Sequence, residues 1–304
     1  MTFGVNLGWL GTENRPAGDP FTGPLEAARW AEDAGFDVVT SADHYGSTSP
    51  WVMLAAAAAV TERVRLRTYV LDVGFWNPGL LARDVATLDQ ISAGRVEVGL
   101  GAGHMPQEHE AVGLPFPPYR ERLDALDAFA TDLAARLADP DFVPRPRQSP
   151  VPLILAAMSP RGLEVAAKHG ETVALSGLLQ AKDAPAATFV LASTAETEGR
   201  IQLVSAARGR LGLAPARFDA LLQRVVVDAD PLEVAAGLEK ETEGRLTAAA
   251  VLDSPFLLLA ATPAEAAAEL VRRRDRWDIT SWCTHPPSGP ALAEVIQEVR
   301  KLGG

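Results

Sequence analysis

The chain has 304 residues, of which 47% are hydrophobic and 22% charged, a composition typical of a folded globular protein. Its 28 basic and 39 acidic residues give a formal net charge of −11, which argues against nucleic acid or an anionic membrane surface as a partner. A single cysteine, Cys283, excludes an internal disulfide. Neither a secretion signal nor an apolar stretch of about 20 residues is evident, so we expect a cytoplasmic protein.

Strand-like and helix-like patterns alternate along the chain, and several helical patterns begin at a proline and end at a glycine, as at Pro24 and Gly35. Strands are predicted at residues 3–7, 36–40, 64–71, 96–100, 151–157, 172–175, 221–227 and 280–283. Helices are predicted at residues 24–34, 53–61, 78–91, 119–137, 160–169, 263–274 and 290–302. The mixed segment 180–220 is expected to hold a helix or an insertion, and the basic run 272–274 to be a solvated helix end.

This alternation implies parallel strands, because each helix must return the chain to the same end of the sheet. Seven or eight such units in about 300 residues favour one closed (β/α)₈ barrel domain over residues 1–304 rather than two Rossmann halves. In such a barrel the functional side chains lie on the loops that follow the carboxyl ends of the strands. The candidate loops are 43–44, 71–77, 101–109, 157–159 and 176–177.

Asp43 and His44 follow the second predicted strand and are therefore expected at the mouth of the barrel. Histidine gives or takes a proton near neutral pH, and an adjacent carboxylate orients it or raises its pKa. The alternative is that His44 only hydrogen-bonds its own loop. The position directly after a strand favours a catalytic role for His44.

A glycine run, 99–103, follows the fourth predicted strand, where a nucleotide-binding loop would stand. The dinucleotide fingerprint Gly-x-Gly-x-x-Gly requires a third glycine where this chain has His104, so the run argues against an NAD(P)-binding Rossmann domain. We expect instead that Gly101 and Gly103 let a flat ligand lie against the backbone.

The residues after this run include His104, Glu108, His109 and Glu110, side-chain types that bind metal ions. His104 and His109 are five positions apart, which is not the spacing of one helical face, so no metal is predicted. Four aromatic residues near predicted strand ends either wall an apolar pocket or belong to the core: Trp9, Trp51, Phe75 and Trp76.

Several of these segments together resemble the bacterial luciferase-like superfamily of flavin and deazaflavin enzymes, whose members are (β/α)₈ barrels. The residues that carry the resemblance are Asp43-His44 and segments 77–83, 86–95, 99–103 and 113–116. It covers residues 3–177 clearly and the last third only through its helix–strand rhythm. Within the superfamily the chain looks most like the members that use coenzyme F420, an 8-hydroxy-5-deazaflavin.

The resemblance implies roles for specific residues. Asp43 would contact the cofactor ring, and His44 would face the substrate as proton donor or acceptor. A non-proline cis peptide that supports the ring would fall near Tyr69-Val70. His104 stands where many F420 enzymes have glutamate and other relatives tryptophan, so it is a second candidate acid or base.

The cofactor tail and its phosphate would run over the ends of the fifth and sixth strands. In this chain those positions are Met158-Ser159 and Ser176-Gly177, whose hydroxyl and N–H groups suit an anion. Relatives often carry Gly-Gly where Met158-Ser159 stands, so this chain departs from the family pattern at these two positions.

The leading hypothesis is an F420-dependent oxidoreductase that moves a hydride between the deazaflavin and a small organic substrate. The first alternative is an FMN-dependent monooxygenase of the same fold. Two others are an NAD(P)-linked dehydrogenase, disfavoured by the broken glycine fingerprint, and a barrel that has lost catalysis and serves as a binding subunit. The resemblance also implies a homodimer, for which the alanine-rich helices 53–61 and 85–91 could supply the contact, although they could equally pack on the barrel.

Overall fold

Eight parallel strands close into a barrel in the computed structural model, which describes residues 1–8, 21, 23–184 and 188–303. In chain order they are β1 (Thr2–Asn6), β2 (Val38–Ser41), β3 (Arg65–Thr68), β4 (Val96–Gly101), β5 (Leu153–Ala156), β6 (Thr172–Leu175), β7 (Arg217–Leu222) and β8 (Ile279–Thr284). Each strand pairs with the next, and β1 pairs with β8 to close the ring. The predicted (β/α)₈ barrel is confirmed.

Helices surround the barrel and connect its strands. In the described part of the chain they are α1 (Pro24–Asp33), α2 (Pro50–Ala58), α3 (Pro78–Ile91), α4 (Pro106–Ala111), α5 (Tyr119–Ala138), α6 (Pro160–His169), α7 (Thr194–Leu211), α8 (Pro231–Glu241), α9 (Ala248–Asp253), α10 (Pro263–Trp277) and α11 (Gly289–Lys301). Most begin at proline, whose missing N–H has no helical partner in the first turn. None of these helices is long and apolar enough to cross a membrane. The single domain and the cytoplasmic location expected from the sequence stay predictions.

The interior of the barrel contains a buried group of charged and hydroxyl side chains. Arg67 of β3 donates to Glu97 at 2.6 Å and, across the barrel, to Asp219 of β7, also at 2.6 Å. The hydroxyls of Tyr69 and Ser281 donate to the same Asp219 carboxylate. A buried charge is tolerated only when it is paired and hydrogen-bonded, and Arg67 and Asp219 meet both conditions.

The last third of the chain differs most from the sequence prediction. The strand predicted at 221–227 is two pieces: β7 begins earlier, at Arg217, and a separate strand Arg224–Val226 pairs with Leu257–Leu259 outside the barrel. Helices α8 and α9, which were not predicted, come between these two outer strands along the chain. The helix expected within 180–220 is α7, which a Ser193–Glu196 capping box begins.

The prediction of a solvated basic run at 272–274 is wrong for its central residue. Arg273 is 9% exposed and donates to the carbonyls of Pro255 at 2.7 Å and Leu257 at 3.0 Å. Its Nε also donates to Glu269 at 2.7 Å, one turn earlier in α10. The helix therefore uses this arginine to hold the segment that precedes it, while Arg272 stays exposed.

Candidate active site

Asp43 lies just after β2 and faces the end of β3. Its Oδ2 accepts hydrogen bonds from the indole N–H of Trp76 at 2.7 Å and from the backbone N–H of Asp72 at 3.2 Å. Burial raises the pKa of Asp43, and the hydrogen bond from Trp76 opposes that shift. The carboxylate is thus fixed at the mouth of the barrel by the neighbouring strand's loop.

His44 reaches across the mouth to the loop after β4. Its Nδ1 lies 2.8 Å from Glu108 Oε1 of α4, and its side chain is 34% exposed. The second oxygen of Glu108 accepts from the backbone N–H of Tyr45 at 3.3 Å. The imidazole therefore stands at the opening of the barrel, where a bound molecule can meet it, and not in the hydrophobic interior.

His104 brings a second imidazole to the same place. Its ring meets that of His44 edge-on, with 5.4 Å between the centroids, and lies 5.6 Å from the ring of Phe189. His104 is exposed at the mouth, and partial desolvation by its neighbours, with a smaller contribution from the charge of His44, lowers its pKa. The structure thus brings together the two histidines that were predicted to be catalytic, although their roles stay predictions.

The end of β3 carries the non-proline cis peptide at the position that the resemblance implied, between Tyr69 and Val70. The hydroxyl of Tyr69 is directed into the barrel, where it donates to Asp219. Burial raises the pKa of Tyr69 well above its usual range, so the phenol stays neutral. A cofactor contact at this position would involve the backbone rather than this hydroxyl.

The glycines at the end of β4 and just after it are explained by their close approach to the residues that follow β3. A Cβ on Gly101 would lie 2.9 Å from Val70 Cγ2, and one on Gly103, at φ +71°, would lie 2.0 Å from Asp72 Oδ2. Side chains at these positions would keep β4 from approaching the end of β3. The contact of Gly101 and Gly103 with a flat ligand stays a prediction.

A buried carboxylate–imidazole pair behind this loop was missed by the sequence analysis. His109 is 2% exposed, with Nε2 at 2.8 Å from Asp72 Oδ2 and Nδ1 at 2.9 Å from the carbonyl of Pro115. Both ring nitrogens therefore face oxygen acceptors and are not available to a metal ion. Among the described residues no group of three or more histidine, cysteine or acidic side chains could hold one.

The aromatic residues suggested for a pocket wall have different positions. Trp76 is at the site through its bond to Asp43, and Phe75 packs on His109 with 4.5 Å between ring centroids. Trp51 is buried in the core at the start of α2. Trp9 lies outside the described residues.

The predicted tail-binding residues of β5 lie at the start of α6. Ser159 Oγ accepts from Gly162 N at 3.1 Å and lies 2.8 Å from the hydroxyl of Tyr119. Arg200 of α7, which the sequence analysis did not single out, donates from Nε to the carbonyl of Met158 at 2.9 Å. A serine hydroxyl, a helix N-terminus and a guanidinium converge here, a combination that suits an anion.

The end of β6 is tied to the ends of β7 and β8. Gln223 donates from Nε2 to the carbonyl of Ser176 at 2.7 Å, and its Oε1 lies 3.4 Å from Nε2 of His285. Burial lowers the pKa of His285. Gly177 has φ +74°, and a Cβ there would lie 2.1 Å from Phe256 Cγ, so this position requires glycine for packing.

The structure is thus a parallel barrel in which acidic and imidazole side chains meet after β2 and β4. Residues 1–236 match the model of the luciferase-like monooxygenase family. The chain belongs to this family. That membership confirms the resemblance drawn from the sequence.

The relatives found among curated proteins include both monooxygenases and F420-dependent enzymes. The 4-hydroxyprotoasukamycin monooxygenase of Streptomyces nodosus subsp. asukaensis is 28% identical over 189 residues, which cover 56% of this chain and 51% of that protein. An F420-dependent glucose-6-phosphate dehydrogenase of Beutenbergia cavernae is 35% identical over 168 residues, which cover 46% and 48%. The chain thus spans only about half the length of the curated relatives it matches, at 51% and 48%.

Solved structures agree with the fold over the whole chain. An F420-dependent secondary alcohol dehydrogenase in complex with an F420-acetone adduct has a TM-score of 0.76 at 21% identity, covering 98% of this chain and 99% of that one. The monooxygenase RslO1 from Streptomyces bottropensis has a TM-score of 0.72 at 24% identity, covering 98% and 99%. At these identities the likeness establishes the barrel and not the reaction.

Proposed function

We propose that the chain is an F420-dependent oxidoreductase that transfers a hydride between the deazaflavin and a small organic substrate, with His44 as proton donor or acceptor. The observation that carries the proposal is the imidazole of His44, one-third exposed and held at the barrel mouth beside His104 and Asp43. Relatives named as F420-dependent at 31% and 35% identity support the choice of cofactor.

The side chains present fit a planar ring with an anionic tail. Asp43 and the backbone of Tyr69 and Val70 would support the ring, and Ser159 with Arg200 would offer donors to a negatively charged group. The backbone at Ser176 and Gly177 and in the loop of Gly101 and Gly103 completes the proposed cofactor contacts. When bound, F420 would supply the ring carbon that gives or accepts the hydride.

The protein's own groups would then handle the proton and the position of the substrate. His44 has one ring nitrogen on Glu108, so its other nitrogen is the one that would exchange a proton with the substrate. His104, whose lowered pKa favours the neutral imidazole, would be a hydrogen-bond partner for the substrate or a second acid or base. The loops at the mouth would exclude water from the reacting groups.

An FMN-dependent monooxygenase is the second candidate. The 4-hydroxyprotoasukamycin monooxygenase relative supports it, because that protein matches 189 residues of this chain at 28% identity. A flavin ring would occupy the same groups. The two candidates differ in cofactor affinity and in the consumption of oxygen by the reduced cofactor.

Equilibrium titration of the purified protein with F420 and with FMN separates the two. We expect F420 to bind with a Kd on the order of micromolar or tighter, equivalent to about −8 kcal/mol, and FMN to bind more weakly. Glucose 6-phosphate, the substrate in the names of several relatives, is the first compound to test for reduction of F420. Failure of both cofactors to bind would refute the proposal, and FMN-dependent oxygen uptake would support the alternative.

We also propose that the protein is a homodimer that uses the faces of α2 and α3. Val52 of α2 is 70% exposed and Ile91 of α3 is 65% exposed. Between them lies a groove of about 260 Å³ that is lined mostly by apolar side chains. Exposed apolar side chains that flank a groove are typical of a surface that a protein partner covers.

A further inference from the structure

The Glu108 carboxylate contacts His44 with one oxygen and its chain neighbour with the other. Oε1 lies 2.8 Å from His44 Nδ1, and Oε2 accepts from Tyr45 N at 3.3 Å. The Glu108 side chain is only 16% exposed, so this carboxylate has little water to exchange partners with. Two contacts to consecutive residues fix both the carboxylate and the imidazole in one orientation.

Glu108 is itself held in place by the next residue of α4. His109 is buried between Asp72 Oδ2 and the carbonyl of Pro115, and the ring of Phe116 lies 5.0 Å from its own. A six-residue helix such as α4 has little stability of its own, so this anchor determines where it lies.

Hydrogen bonds link the dipeptides Asp43-His44 and Glu108-His109 at two points. Asp72 connects them, because its backbone N–H donates to Asp43 at 3.2 Å while its carboxylate contacts His109 at 2.8 Å. Asp43-His44 and Glu108-His109 are thus joined twice, once through Asp72 and once directly through His44 and Glu108. A substitution at Glu108 would therefore remove the contact to His44 and leave the bonds of Asp72 to Asp43 and His109 in place.

A carboxylate accepts hydrogen bonds and cannot donate them, so His44 must carry its proton on Nδ1 to make this contact. In the neutral imidazole that choice leaves Nε2 without a proton. We propose that Glu108 is the positioning residue of His44, fixing the tautomer in which Nε2 is the atom that exchanges a proton with the substrate. The role of that exchange rests on the proposed function, whereas the tautomer does not.

Other charged groups near His44 do not provide the same contact. Asp43 is bonded to Trp76 and to the backbone of Asp72, and His104 meets His44 ring edge to ring at 5.4 Å between centroids. In the described part of the chain, Glu108 is the acidic side chain within hydrogen-bond distance of the imidazole.

Nitrogen-15 NMR of the imidazole side chains, in protein without cofactor, tests the proposal directly. The chain has 5 histidines, and the spectrum of His44→Gln identifies the signals of His44. We expect neutral His44 to be protonated on Nδ1 in the wild type, and Glu108→Ala to give a mixture of both tautomers. Glu108→Gln offers one acceptor oxygen to two N–H donors, those of His44 and Tyr45, and its amide N–H can donate to Nδ1, so it should also shift His44 toward the Nε2 tautomer.

Glu110→Gln is the matched control, because Glu110 is an exposed carboxylate two positions further along α4. It should leave the His44 signals unchanged. An Nε2-protonated His44 in the wild type would overturn the proposal, as would a Glu108→Ala variant that folds and keeps the wild-type tautomer. If Glu108→Ala does not fold, the wild-type and Glu108→Gln spectra still decide between the tautomers.

Activity with F420 provides the second readout. We expect Glu108→Ala to lower kcat about 10- to 100-fold, part of the roughly 10²- to 10⁴-fold that a positioned general acid or base contributes, with less change in the affinity for F420. A kcat equal to wild type in that variant would contradict the positioning role. Failure of the wild type to bind F420 would refute the proposed function and leave the tautomer assignment standing.

Discussion

Replacing Gly103 by alanine tests whether the glycine run after β4 is required for contact with Asp72. Gly103 has φ +71°, and a Cβ built on it would lie 2.0 Å from Asp72 Oδ2 and 2.5 Å from its Cγ. Asp72 has little freedom to move, because Gly74 N and His109 Nε2 both contact its carboxylate, at 2.9 and 2.8 Å. The substitution therefore combines a backbone penalty with a steric one.

The two costs can be added because they have different origins. An alanine in the left-handed conformation costs about 1–2 kcal/mol, and overpacking a filled site costs about 1–3 kcal/mol more. We expect Gly103→Ala to lower the free energy of unfolding by roughly 2–5 kcal/mol in total. Urea unfolding followed by circular dichroism measures this loss.

Gly113→Ala is the control that isolates the backbone cost. Gly113 has φ +70°, and a Cβ there would meet nothing within 4 Å. The free energy of unfolding of Gly113→Ala should fall by only about 1–2 kcal/mol. Equal losses in the two variants would refute the contact with Asp72 as the reason for glycine at position 103.

Three further substitutions test other parts of the structure. Asp219→Ala leaves the buried Arg67 without one of its carboxylates, and urea unfolding should show a loss of about 3–5 kcal/mol; a loss below about 1 kcal/mol would contradict the importance of that pair. Burial raises the pKa of Asp43 above its unfolded value, so stability from this group is present in acid and is lost as the pH rises through the folded pKa. The free energy of unfolding of Asp43→Asn, relative to wild type, should therefore rise from acid to neutral pH. A fall over that range would contradict a raised pKa for Asp43. Ile91→Glu places a charge on the exposed face of α3 and should convert the proposed homodimer to a monomer in light scattering, whereas a dimer of unchanged mass would exclude that face.

Local signals in the sequence were sufficient for most of the first two-thirds of the barrel, although α4 was not predicted and α2 begins at Pro50 instead of residue 53. The bounds of α3 and α6 match their prediction, because each begins at a proline that follows a capping side chain, Asn77 or Ser159. The end of β7 was not predictable in this way. The run from Leu221 to Val227 contains no turn residue, and the chain changes partners at Gln223, whose backbone N–H donates to the carbonyl of Phe256 at 2.8 Å. That change depends on Phe256, which is distant in sequence, so residues 221–227 alone do not indicate it.

The candidate site was predictable in part. Parallel strands deliver their following loops to one end of a barrel, which is why His44 and His104 could be expected at the same mouth. The pairing of Asp72 with His109 depends on the left-handed turn at Gly103 and on the direction of α4, neither of which a single sequence specifies. Arg200 was missed because its helix lies in the segment whose pattern was mixed.

A crystal structure of the protein with F420 would show directly whether the cofactor lies beside His44. We expect the deazaflavin ring at the carboxyl ends of the strands, against Asp43 and the Tyr69–Val70 backbone, with Nε2 of His44 facing the space above the ring. The charged tail should reach Ser159. A ring bound away from His44, or no bound F420 at saturating concentration, would contradict the account.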